Sequence, residues 1–151
     1  MEHEIIHLNV KQADLLHKLN DLFGREFDEI KTYTSSRPDD EYLKSLLSDR
    51  SFIALVARLD SEVIGGLVAY ELKKFEQQRS EVYLYDLAVS ANHRRKGIAT
   101  GLIRRLQSIA QSLGAWVTFV QADYSDKAAV ALYSKLGTRE DVLHFDLPFS
   151  S

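Results

Sequence analysis

Glu81-Val82-Tyr83-Leu84-Tyr85-Asp86-Leu87-Ala88-Val89 runs into Ser90-Ala91-Asn92-His93-Arg94-Arg95-Lys96-Gly97, and then into Ile98-Ala99-Thr100. The first run is rich in β-branched and aromatic residues and predicts a strand. Beyond the basic turn, Ile98, Leu102, Leu106, Ile109, Ala110 and Leu113 recur at helical spacing and stop at Gly114, which predicts an amphipathic helix. A further strand is expected from Trp116 to Ala122. A strand, a helix and a strand in that order require a parallel crossover, so the central sheet is expected to be mixed, with helices on both faces.

Working toward the N-terminus, Phe52 to Leu59 and Val63 to Tyr70 flank the turn residues Asp60-Ser61 and predict an antiparallel hairpin. Pro38 opens a helix carrying Leu43, Leu46 and Leu47. Before it, Leu15, Leu16, Leu19, Leu22 and Phe23 mark a helix expected to stop at Gly24, and Glu4 to Leu8 a short first strand. Toward the C-terminus, Ser125 is expected to cap a helix presenting Ala129, Val130, Leu132, Tyr133 and Leu136 and closing at Gly137, with a last strand around Val142 to Leu147. The predicted order is βααβββαβαβ, an α/β (α+β) fold in one domain over residues 1–151.

The chain has 151 residues, 45% of them apolar, no cysteine and a net charge of -3. That suits a single core and excludes a disulfide framework or a thiol nucleophile. An acidic balance argues against a nucleic-acid partner, whose phosphates need a broad basic face, and favours a cationic one. No signal-peptide run or membrane span is evident, so a cytoplasmic location is expected. His7, His17 and His93 lack partners at ligand spacing, so no metal is assigned.

The turn before the helix points to phosphate. Unpaired N–H groups and the positive end of the helix dipole meet there, Gly97 permits close backbone approach, and Arg94, Arg95 and Lys96 add charge. The pattern is neither GxxxxGK[ST] nor GxGxxG, which disfavours ATP and NAD and leaves coenzyme A as the better anion. A solvated basic turn is the plainer alternative.

Arg94-Arg95-Lys96-Gly97-Ile98-Ala99 matches the [QR]xxGx[GA] acetyl-coenzyme A loop and so resembles the GNAT superfamily of N-acetyltransferases; Asp126 to Gly137 looks like that superfamily's second cofactor-facing helix. More narrowly, Leu22-Phe23-Gly24-Arg25-Glu26-Phe27, Lys74-Phe75-Glu76-Gln77, Tyr85-Asp86-Leu87-Ala88-Val89, Val120-Gln121-Ala122-Asp123-Tyr124 and His144-Phe145-Asp146 resemble the aminoglycoside 3-N-acetyltransferases that act on gentamicin-type drugs. Lys127-Ala128 departs from that pattern, standing where an acidic residue followed by proline is usual.

The resemblance implies direct attack of an amine on the acetyl thioester in a ternary complex, which agrees with the absent cysteine. Asp86, a lone carboxylate in an apolar and aromatic run, is the candidate base, its structural alternative being an ion pair or backbone acceptor at a strand bulge. Tyr133 is the candidate acid for the departing thiolate, its alternative being packing. For the cofactor, the resemblance implies backbone groups of Leu87, Ala88 and Val89 for the pantetheine arm. It implies Arg94, Arg95, Lys96, Gly97, Ile98, Ala99 and Thr100 for the pyrophosphate, with Asp126 and Ala129 from the later helix. The acceptor side should be acidic, since aminoglycosides carry several ammonium groups. Asp123 and Asp146, expected at strand ends, rank first and Glu29 follows, with Glu26 and Asp28 as further carboxylates; Tyr33, after Glu29, and Tyr124, beside Asp123, are expected to contact the acceptor as well, the plainer alternative being scattered solvated carboxylates. His144 beside Phe145 is expected to be packed, its alternative being a catalytic base. Acetylation of a polyamine, a peptide N-terminus or a lysine remains open, as does a coenzyme A-binding module without turnover. An edge strand near the C-terminus would make a homodimer reasonable.

Overall fold

The computed structural model describes residues 2–150, and the chain divides after Gln121 into two compact units. The larger unit holds strand β1 (Glu4–His7), helices α1 (Ala13–Glu26), α2 (Ile30–Thr34) and α3 (Asp40–Ser48), the hairpin β2 (Phe52–Leu59) and β3 (Glu62–Lys73), strand β4 (Ser80–Val89), helix α4 (Ile98–Leu113) and strand β5 (Ala115–Val120). Its sheet has the order β1-β2-β3-β4-β5. The first three pairings are antiparallel and β4 with β5 is parallel, the mixed sheet that the crossover requires.

Two neighbouring glycines on β3 show that helices cover both faces. A Cβ on Gly65 would lie 3.2 Å from the Ile98 side chain of α4, whereas one on Gly66 would run into the Leu19 side chain of α1. Adjacent strand residues point to opposite faces, so α4 and α1 lie on opposite sides of the sheet. Val63 to Ala69 are accordingly buried without interruption, as expected of a strand covered twice.

Helix α1 passes through Gly24 and ends at Glu26, two residues beyond the expected stop. Glycine in a helix costs about 1 kcal/mol relative to alanine. Leu15, Leu16, Leu19, Leu22 and Phe23 are all buried, at roughly 1.5–3 kcal/mol each, so packing outweighs that cost. Gly24 serves a close approach instead: a Cβ there would lie 3.3 Å from Tyr33 Cβ and 3.4 Å from Ile30 Cα. The stop signal is Asp28, left-handed at φ 54. Asp28 N–H donates to the Arg25 carbonyl at 3.3 Å and Glu29 N–H to the Gly24 carbonyl at 2.9 Å, a Schellman closure with aspartate where glycine is usual.

The smaller unit begins at Ala122 and contains α5 (Lys127–Leu136). Its cap is Asp126 rather than Ser125: the Asp126 carboxylate accepts from Ala129 N–H at 3.1 Å. The strand expected around Val142 to Leu147 does not form; no ladder partner is present there, and Val142, Leu143, Phe145 and Leu147 are all exposed. The edge on which a homodimer was expected is therefore missing among the described residues.

Candidate active site

A β-bulge decides where Asp86 points. On the α1 side of the sheet, Gly66 opposes Ala88 and Val68 opposes Asp86; the register then skips Tyr85, so that Ala69 opposes Leu84 and Tyr70 opposes Tyr83. Directly opposed residues share a face. Uninterrupted alternation would put Asp86 on the same side as Val82 and Leu84, in the core beneath α4. The extra residue inverts the phase and turns Asp86 toward α1 and α2.

There Asp86 meets Tyr33, whose hydroxyl donates to the Asp86 carboxylate at 3.3 Å. Burial pushes the Asp86 carboxyl above the ordinary aspartate range; the Tyr33 hydrogen bond pulls it back, and the negative charge of Glu29 raises it again. Tyr33 is itself pushed well above the ordinary phenol range, first by burial and then by the Asp86 carboxylate. The Tyr33 ring is held by Phe23 and Phe27, with centroids at 6.1 and 6.2 Å. Asp86, Tyr33 and Glu29 thus come together, a constellation drawn from segments more than fifty positions apart in sequence.

Beside Asp86 the sheet opens. Strand β4 pairs with β5 only as far as Leu84. From Tyr85 through Leu87, Ala88 and Val89, the backbone groups that face away from β3 have no strand partner among the described residues. An extended ligand can add there as a strand would.

The basic turn follows directly. Arg94 is extended, Arg95 is left-handed at φ 63, and Gly97, left-handed at φ 77, begins α4 with no side-chain cap. The N–H groups of Ile98, Ala99 and Thr100 in the first helical turn have no intrahelical acceptor and face the approach to the helix end. Arg95 and Lys96 are exposed, whereas Arg94 is tied to Glu26 of α1 by an ion pair of 2.7 Å. Ile98 is buried and anchors the helix start.

In the smaller unit, Tyr133 is half-buried on α5, and Asp126 and Ala129 are joined by the cap. Asp123 and Asp146 do not end strands: Asp123 lies past the end of β5 at Val120, and Asp146 in the strandless tail. His144 is exposed rather than packed, its ring Nε2 at 2.9 Å from the Asp146 carboxylate. Tyr124 is exposed under the Arg139 guanidinium, 5.2 Å from the ring centroid. Three features escaped the sequence reading, namely the Tyr33–Asp86 bond, the Glu26–Arg94 pair and a row of aromatic rings beside Asp86. The aromatic row had a visible signal in Tyr83-Leu84-Tyr85; the other two depend on chain reversals that no local pattern records.

Residues 16–138 match the acetyltransferase (GNAT) family model. An aminoglycoside acetyltransferase from an uncultured soil metagenomic sample is 51% identical, with 99% of this chain and 100% of that one covered and a TM-score of 0.97. A second soil enzyme of that description, solved in complex with sisomicin, is 31% identical over 98% of this chain and 97% of that one, with a TM-score of 0.90. The N-acetyltransferase 8B of Rattus norvegicus is 32% identical over 102 residues, which are 68% of this chain and 46% of that protein; the chain spans less than half the length of this curated relative. With the open β4 edge and the glycine turn at the head of α4 in the positions described, the chain belongs to the acetyltransferase (GNAT) family.

Proposed function

We propose that the chain transfers an acetyl group from acetyl-coenzyme A to an amino group of an aminoglycoside, the 3-amino group of gentamicin-type drugs, and thereby confers resistance to them. The observation that carries the reading is the bulge, which holds a carboxylate with a raised pKa next to an unpaired strand edge. Acetyl-coenzyme A supplies an activated thioester. The residues present fit it: free N–H groups from Ile98 to Thr100 and the charges of Arg94, Arg95 and Lys96 suit its pyrophosphate, and the backbone of Leu87 to Val89 suits its amide-bearing arm. The resemblance of the segment from Asp126 to a cofactor-facing helix supports a cofactor role for Asp126 and Ala129 as well.

On the acceptor side the amine must be neutral to attack, and Asp86 takes its proton directly or through water. Glu29 adds negative charge for the other ammonium groups, Tyr33 orients the Asp86 carboxylate, and Asp123, Tyr124 and Asp146 supply further polar partners. Tyr133 donates a proton to the departing sulfur. The soil relatives support the aminoglycoside as acceptor. The likeness to N-acetyltransferase 8B favours a second reading, acetylation of another amine on the same cofactor site. No helix among the described residues is long and apolar enough to cross a membrane; the site of action proposed for this reaction is the cytoplasm.

Release of coenzyme A, followed with a thiol reagent, tests the reading across gentamicin, sisomicin, spermidine and a lysine peptide. The absence of cysteine keeps the background low. Fast release with the aminoglycosides alone is expected; release with only the peptide or spermidine would replace the acceptor, and none at all would leave a binding module.

A further inference from the structure

One line of register carries aromatic residues across four strands. Phe52 on β2 opposes Tyr70 on β3, Tyr70 opposes Tyr83 on β4, and Tyr83 opposes Phe119 on β5. Phe52 and Tyr70 pack at 5.6 Å between centroids, and Tyr83 stacks on Phe119 at 4.7 Å with the rings nearly parallel. Tyr85, the bulge residue, leans over the middle of this row, edge-on to both Tyr70 at 5.8 Å and Tyr83 at 5.5 Å. Burial falls along the row: Phe52 is buried, Tyr70, Tyr83 and Phe119 are half-buried, and Tyr85 is 58% exposed.

A single exposed tyrosine needs no explanation. Here, however, the same bulge that turns Asp86 also sets Tyr85, so ring and carboxylate are consecutive residues of one rigid strand. The Tyr83 hydroxyl is fixed by a 2.8 Å bond to Gln121. Burial, then the Tyr85 phenol, and after them the Asp86 charge push Tyr70 and Tyr83 above the ordinary phenol range, so the hydroxyls and the carboxylate share one neighbourhood. The surface is apolar in its ring faces, polar at its hydroxyls and negative at Asp86 and Glu29.

The geometry points to Tyr85, backed by Tyr70, Tyr83 and Phe119, as a platform for a saturated ring bearing an ammonium group, its C–H face against the aromatic face and its charge toward Asp86. An amino sugar or aminocyclitol ring has both features, whereas the flexible chain of spermidine offers charge without a ring face. Aromatic faces attract ammonium groups, most strongly when both are partly desolvated. This assignment rests on the reading of Asp86 as the acceptor-side base and names the part of the acceptor that lies beside it.

Titration calorimetry with sisomicin on the wild type and on Tyr85→Ala, Tyr85→Phe and Tyr85→Trp, together with acetyl-coenzyme A titrations of each, tests it. Tyr85→Ala should weaken sisomicin binding about tenfold and leave acetyl-coenzyme A binding within about twofold; Tyr85→Phe and Tyr85→Trp should restore most of the sisomicin affinity. Spermidine binding should respond far less to Tyr85→Ala than sisomicin binding does. If Tyr85→Ala binds sisomicin as well as the wild type, the platform is wrong and the catalytic reading stands. If the wild type itself binds acetyl-coenzyme A but no sisomicin, the aminoglycoside reading falls and the platform's ligand with it.

Discussion

Asp86 stands between two opposed influences, burial that favours its neutral form and the Tyr33 hydroxyl that favours its charged form. Removing the hydroxyl leaves burial and the Glu29 charge unopposed, so Tyr33→Phe should raise the Asp86 pKa. A carboxyl-carbon NMR titration would show the rise directly, and on the proposed reading of Asp86 as the base the acid limb of kcat, which requires its carboxylate form, should move to higher pH in step. The sign for stability follows from the same shift. A carboxyl whose folded pKa is raised favours the fold when protonated, and that contribution is lost as pH rises through the folded value. An unmoved titration would mean that the 3.3 Å contact contributes nothing. At this scale the identity of Asp86 as an outlying carboxylate was legible in its apolar run, because a lone charge among Tyr, Leu and Val is conspicuous. Its partner was not, since Tyr33 is brought to it only by the Asp28 reversal and the bulge.

Among the elements, β3 is the one most constrained from both sides. A Cβ at Gly66 would lie 2.7 Å from the Leu55 backbone carbonyl and would also meet Leu19, and the carbonyl cannot step aside without disturbing the β2–β3 ladder. Gly66→Ala should therefore destabilise the protein by roughly 1–3 kcal/mol, the usual cost of overpacking. Denaturant midpoints would read this as a fall at unchanged slope, and a midpoint equal to that of the wild type would show that the strand accommodates the methyl group. Helices α1 and α4, the hairpin and the parallel crossover were all legible, because apolar period and turn residues are local properties. The end of α1 was misread at Gly24, whose role is contact with Tyr33 and Ile30, and the cap of α5 was displaced by one residue. The last strand was misread as well: Val142 to Leu147 has strand-like composition, but a strand exists only where a neighbour supplies its hydrogen bonds.

For the molecule as a whole, 22 acidic against 19 basic residues leave a net charge of -3, with the basic cluster Arg94-Arg95-Lys96 confined to one turn. A polycationic acceptor should be drawn to such a protein by long-range attraction that salt screens. On the proposed reading, kcat/KM for gentamicin should fall several-fold as ionic strength rises from about 10 mM to about 150 mM, over which the Debye length shrinks from about 30 to about 8 Å. A flat profile under these conditions would place recognition in short-range contacts such as the Tyr85 platform. The sequence by itself determined the order of the principal elements, the mixed sheet and the glycine turn at the head of α4. Each of these rests on the period of side chains along a single segment or on the backbone freedom of one glycine. The tertiary structure alone decided which face Asp86 occupies, that Tyr33 and Glu29 attend it, that β4 parts from β5 beyond Leu84, and that four strands align their aromatic rings. Those features depend on register, and one extra residue at Tyr85 reverses the facing of every side chain beyond it while leaving the local pattern of the sequence unchanged.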